Sequence, residues 1–234
     1  MFKLKNIILF IFVIVFSSVI LAGDVEDGDA AVGRKDYPTA IIKYRNAAEK
    51  NNADAQIRLG MMYDEGAGVK QDYAEAVRWY KLAAAQGNAA AQFNLGHVYN
   101  NGQGVVQDYA EAVRWYKLAA TQGYASAQSD LGYMYNKGQG VVQDYAEAVR
   151  WYKLAAAQGN AIAQDNLGVM YGNGQGIVQD YTRAHMWWNL AAVTGNATAV
   201  KNRDIIAKQM TPQQIAEAQK LARECQARNF KNCD

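Results

Sequence analysis

The string Gln-Asp-Tyr-Ala-Glu-Ala-Val-Arg-Trp-Tyr-Lys-Leu-Ala-Ala occurs three times without change, starting at Gln71, Gln107 and Gln143. A drifted fourth copy starts at Gln179, and a degenerate first copy opens at Asp36-Tyr37. Tyr73, Tyr109, Tyr145 and Tyr181 mark a period of 36 residues. Self-similarity at that spacing means stacked supersecondary units, because one unit cannot bury its own apolar face. Length then says little about domain count, since a stack grows by units. Half of the residues are apolar and only two are proline, which favours folded helix over disorder.

Each copy reads as two helices. Helix A opens at an Asp with Glu three residues on (Asp72/Glu75, Asp108/Glu111, Asp144/Glu147), the spacing of a capping box. Tyr73, Ala76, Val77, Tyr80, Ala83 and Ala84 then share one face at helical spacing. Gly87, Gly123, Gly159 and Gly195 end the helix by taking a left-handed conformation. Helix B starts at Asn88, Asn160 and Asn196 as N-caps and buries Ala91, Leu95 and Tyr99. Gly96, Gly132 and Gly168 fall inside helix B, where glycine costs ~1 kcal/mol against alanine. Recurrence at one position implies close approach of a neighbouring helix under a Tyr or Trp ring. Gly66/Gly68, Gly102/Gly104, Gly138/Gly140 and Gly174/Gly176 follow a helix rather than a strand, so they read as helix stop plus turn and not as a phosphate loop.

The pattern Ala91-Gln92-Phe93-Asn94-Leu95-Gly96-His97-Val98-Tyr99, followed by Gly-x-Gly-Val-x-Gln-Asp-Tyr-x-x-Ala from Gly102 to Ala112, resembles the Sel-one-like repeat (SLR) family, a tetratricopeptide relative. The likeness covers roughly residues 36 to 200, and the 36-residue period separates it from the 34-residue tetratricopeptide unit. It implies an all-α, right-handed α/α solenoid of antiparallel helix pairs, an exported bacterial member of the family, and an adaptor that binds other proteins.

The organisation expected is a signal peptide at 1–22, an N-terminal capping helix at 23–35, a solenoid of about 4.5 repeats at 36–210, and a C-terminal capping helix and tail at 211–234. Lys3 and Lys5, an apolar run from Ile7 to Leu21 and Ala22 carry the secretory pattern, with cutting after Ala22 or after Gly23. The alternative is an uncleaved anchor, against which stand the short run and the acidic stretch after it. Cleavage removes two basic residues and leaves 22 of each sign, so no net charge attracts nucleic acid and no membrane insertion follows. Thr211-Pro212-Gln213-Gln214 starts the last helix. Cys225 and Cys233 form one disulfide in an exported chain, the alternative being two free thiols.

His97 and His185 occupy different positions of the repeat, and no His or Cys spacing suits a metal. No catalytic residue, metal site or cofactor is expected. The outward side of helix A is the candidate protein-binding face: Glu75, Arg78 and Trp79, then Glu111, Arg114 and Trp115, then Glu147, Arg150 and Trp151, with Leu82, Leu118 and Leu154 beside them. One reading has the Trp and Leu pack on the next repeat with Glu and Arg as a solvated rim. The other is an aromatic, Arg-bearing groove, since Trp, Tyr and Arg dominate binding hot spots. These positions become Thr39, Ile42, Lys43 and Asn46 in the first copy and Arg183, Met186, Trp187 and Leu190 in the last, so the Glu–Arg rim is confined to the central repeats. The function expected is a non-enzymatic protein–protein interaction scaffold, periplasmic or secreted, that binds a protein or peptide. Two rivals are an enzyme or small-ligand binder acting on cell-wall or β-lactam-like material, and a secreted effector that binds a host protein. The β-lactam-associated relatives carry a cysteine pair in each repeat, and this chain carries none there.

Overall fold

The computed structural model describes residues 23–233, so the expected leader at 1–22 lies outside the described residues. The chain divides into two compact units, Met1–Gln107 and Asp108–Asp234. The described part of the first holds α1 (23–33), α2 (Tyr37–Glu49), α3 (Ala53–Glu65), α4 (Tyr73–Ala85) and α5 (Ala89–Asn101). The second holds α6 (Tyr109–Thr121), α7 (Ala125–Lys137), α8 (Tyr145–Ala156), α9 (Ala161–Asn173), α10 (Tyr181–Ala192), α11 (Ala197–Ala207) and α12 (Pro212–Ala227). The described residues are all-α, and within each unit helices pack in successive pairs (α2 on α3, α3 on α4, α4 on α5; α6 on α7 through α10 on α11), the solenoid class that the period implied.

The helix starts follow the sequence with one correction. The Asp72 carboxylate accepts the Glu75 amide at 3.0 Å, and Asp144 accepts that of Glu147 at 3.0 Å. The Glu side chains do not reach back to complete a capping box. The Asp72 amide already donates to the Tyr63 carbonyl at 2.9 Å, and that of Asp144 to the Tyr135 carbonyl at 3.0 Å. The preceding helix B has taken the donor, which frees the Glu side chain for Arg. A full capping box forms at α12 alone among the described helices, between Thr211 and Gln214.

The mid-helix glycines lie under aromatic rings. A Cβ at Gly60 would stand 2.6 Å from the Tyr80 ring, one at Gly132 2.7 Å from Tyr152, and one at Gly168 2.5 Å from Trp188. Tyr80 and Tyr152 are fully buried there. In these three cases helix B therefore seats on the following helix A, and α3 packs more extensively on α4 than on α2. Gly28 of α1 meets Tyr44 in the same way, so α1 seats on α2 as a helix B does on the following helix A.

The glutamine of the Ala-Gln motif closes each pair. Gln56 donates to the Ala48 carbonyl at 3.1 Å and Gln128 to that of Ala120 at 3.0 Å, satisfying orphan groups at the end of helix A. Gln56 also accepts from Gln86, and Gln128 from Gln158, each at 2.8 Å. A buried amide with both ends bonded costs little and sets the register of the stack.

Asp130 of α7 stands where α5 and α9 carry Asn94 and Asn166. Burial pushes its carboxyl up to about 6. Because the folded value exceeds the unfolded value of ~3.9, this carboxyl favours folding fully below about pH 4 and loses that contribution as pH rises through 6. Asp130→Asn should therefore raise stability by roughly 1–3 kcal/mol at pH 7 and leave it nearly unchanged at pH 4. Urea unfolding at the two pH values reads this. Equal effects at both would remove burial of charge as the cause.

At the C-terminus Cys225 and Cys233 are joined, with Cα atoms 5.1 Å apart. Cys225 is fully buried in the core with Trp187, Trp188 and Leu190. The bridge folds the tail back so that Phe230 lies against Gly159.

Candidate protein-binding face

The outward side of helix A carries one arrangement three times. Arg78 donates twice to Glu75, from Nε at 3.0 Å and from Nη2 at 2.7 Å. The guanidinium lies 4.3 Å from the centre of the Trp79 ring. Arg114 repeats this with Glu111 (3.0 and 2.8 Å) and Trp115 (4.6 Å), and Arg150 with Glu147 (2.9 and 2.6 Å) and Trp151 (4.3 Å). An exposed ion pair alone contributes ~0.2–1 kcal/mol. A bidentate pair stacked on an indole fixes the Arg rotamer as well, which lowers the entropy lost when a partner binds. Arg78 and Arg150 hold the Glu75 and Glu147 carboxyls below the ordinary range, against the opposing effect of burial.

The candidate residues divide by depth. Trp79 and Trp151 are buried, and Trp79 joins the core with Ile41, Tyr44 and Leu59. Packing on the next repeat was one expectation for these Trp; Trp79 packs instead on the preceding one, and the indoles of Trp79 and Trp151 each lie beside an Arg. Trp115 is half-buried. The leucines do the opposite of what packing requires: Leu82, Leu118 and Leu154 are 41%, 41% and 42% exposed. The surface offered is thus a clamped Arg with an open Leu one turn further on.

The ends of the repeat close this face. In α2 the Trp position is Lys43, which bridges to Asp24 (3.2 Å) and Asp27 (2.8 Å) of α1. In α10 the Arg and Leu positions are Met186 and Leu190, 1% and 2% exposed, and α12 packs on that helix. The core there contains Met186, Leu190, Ala218, Ala222 and Cys225. Sequence reading missed this. The Arg-to-Met exchange at a ladder position, followed by an amphipathic segment, was the available signal.

His97 is exposed beside Asn101, and His185 is buried in α10. Among the described residues no group of three or more His, Cys, Asp or Glu is placed to hold a metal ion. No described helix is long and apolar enough to cross a membrane.

Paired helices, stacked core rings and one ordered face repeated along the chain define a helical-repeat scaffold, the class to which tetratricopeptide-like proteins belong. The chain is a member of the Sel1 repeat family, whose model matches residues 53–88, 89–124, 125–160 and 161–192. Each matched unit begins at helix B and runs into the following helix A, and α3 with α4, α7 with α8 and α9 with α10 make the more extensive of the two contacts. The fold is similar to that of c5321, a protective antigen of uropathogenic Escherichia coli strains displaying an SLR fold. Identity is 34% over 91% of this chain and 47% of that one, with a TM-score of 0.78. This chain thus spans about half the length of that relative. A Sel1 repeat protein from Oxalobacter formigenes is 33% identical over 86% of this chain and 84% of that one, with a TM-score of 0.75. Comparison with curated proteins gives no match.

Proposed function

We propose that this protein is a non-enzymatic scaffold that binds a helical segment of a partner protein on the outward face of helix A in its central repeats. Sel1 repeats commonly serve as protein-interaction scaffolds. One observation carries the reading further. The protein already docks a helix on this face, because α12 covers Met186 and Leu190 of α10. The equivalent leucines of α4, α6 and α8 are left open beside a clamped Arg. A partner helix with an apolar stripe and a flanking carboxylate would meet Leu and Arg at once, the groove mode of helix recognition.

An exported location accompanies this reading. It is supported by the leader pattern at 1–22 and by a disulfide, which persists in oxidising compartments. The antigen role of c5321 favours the same setting. Periplasmic and secreted placement share these features.

The test is affinity capture from envelope extract with the wild type, a Leu82/Leu118/Leu154→Lys variant and an Arg78/Arg114/Arg150→Glu variant. All six positions are solvent-facing, so each variant should melt close to the wild type. Both should lose the captured partner by about tenfold or more. Equal capture by all three proteins would dismiss this face. The intact mass of the exported protein, lacking residues 1–22, checks the compartment.

A further inference from the structure

The last helix pair departs from the repeat in a coordinated way. The buried valines Val77, Val113 and Val149 become His185, and the fully buried leucines Leu95, Leu131 and Leu167 become Arg203. Lys81, Lys117 and Lys153 become Asn189, and the mid-helix glycine becomes Asp204. Four polar groups thus enter positions that are otherwise apolar or small, or carry a lysine. They are joined to one another. Asp204 accepts from Arg203 at 2.8 and 3.0 Å, Arg203 donates to the Asn189 carbonyl oxygen at 3.4 Å, and the Asn189 amide meets His185 Nδ1 at 3.1 Å. His185 is 3% exposed, and burial, with Arg203 as a second cause, lowers its pKa, so it stands as a neutral acceptor for the Asn189 N–H. That bond orients the amide, and the amide orients Arg203.

A cap needs only a polar outer side. This chain of bonds instead borders an open groove of about 450 Å³ between α10, α11 and α12. Arg203 and Asn189 line one side, Arg223 and Gln219 of α12 the other, and Val193 and Val200 supply apolar surface between them. No lining residue is acidic. Arg223 has no ion pair among the described residues, and Arg203, with its side chain 28% exposed, is held in place by Asp204 and Asn189. The size falls within the ~300–1,000 Å³ of small-ligand sites, which combine apolar walls with a few placed polar groups. Guanidinium groups on such a site select a carboxylate by paired N–H donors.

We infer that the α10–α11–α12 groove binds a carboxylate carried on a short apolar stem, with Arg203 and Arg223 on the carboxylate and Val193 and Val200 under the stem. A free apolar carboxylic acid and the C-terminal residue of a peptide share this chemistry. This site is separate from the open helix A faces of α4, α6 and α8, and neither proposal depends on the other.

Titration of the disulfide-bonded protein with N-acetyl-L-leucine, followed by NMR of the Arg203, Arg223 and Asn189 side chains, tests it. Saturable shifts are expected. Arg223→Gln should weaken binding by about tenfold or more. Arg203→Leu restores the residue of the other repeats, so it should melt no lower than the wild type and weaken binding by about as much. A pentapeptide ending in leucine that binds more tightly than the free acid assigns the site to protein C-termini, and equal or weaker binding assigns it to free acids. The proposal fails if N-acetyl-L-leucinamide binds as well as the acid, if no shift saturates at millimolar ligand, or if Arg223→Gln leaves the affinity unchanged. A lowered melting point for Arg203→Leu with unchanged affinity would make the polar chain a structural cap.

Discussion

Tyr152→Ala should destabilise the protein by about 3–5 kcal/mol and reverse the sign of Gly132→Ala. The Tyr152 ring is fully buried and lies over Gly132, where a Cβ would stand 2.7 Å away. In the wild type, Gly132→Ala gains ~1 kcal/mol of helix propensity. It loses about 1–3 kcal/mol or more to overpacking against a ring fixed on every side. Net destabilisation of up to roughly 2 kcal/mol is expected. With the ring removed the methyl fills part of the cavity, and the same change should become stabilising. A double-mutant cycle by urea unfolding measures the coupling. Additive effects would mean that the glycine recurs for some reason other than the ring.

The second large effect concerns the turn glycines. Gly140→Ala should cost about 3 kcal/mol, whereas Gly123→Ala should cost about 1–2 kcal/mol. Both have left-handed backbones, with φ of 70° and 88°. They differ in space. A Cβ at Gly140 would run into the Tyr109 carbonyl and stand 2.7 Å from the Ala110 amide nitrogen, but one at Gly123 meets nothing within 4 Å. The first glycine therefore carries the conformational penalty and a clash with backbone that cannot rotate away. The second carries the conformational penalty alone. Comparison of denaturation midpoints at equal m-values separates them. Equal losses would show that backbone conformation is the whole of the effect at Gly140.

Much of the fold was legible because the repeat writes local rules several times over. Asp and Asn caps, left-handed glycines and the Ala-Val-Tyr stripe act within a few residues of one another, so spacing alone places them. The mid-helix glycines were legible one step further, since a recurring cost calls for a recurring neighbour. The capping box was misread because a local motif competed with a contact made across a loop, from the Asp72 amide to the Tyr63 carbonyl. Periodicity could not separate Trp79 from Leu82 by depth either. Both lie off the main stripe, and only the packing of α4 on the first repeat buries one and leaves the other open.

The 36-residue period, the helix pair and its caps follow from sequence, since each depends on hydrogen bonds and side-chain spacings within one or two turns. Which part of the repeated face stays open does not. Leu190 and Leu154 occupy the same position of the repeat, yet one is 2% and the other 42% exposed. The difference is α12, the next helix but one, which folds back to cover α10. Burial is a property of what packs against a residue, and that partner is chosen by the tertiary fold.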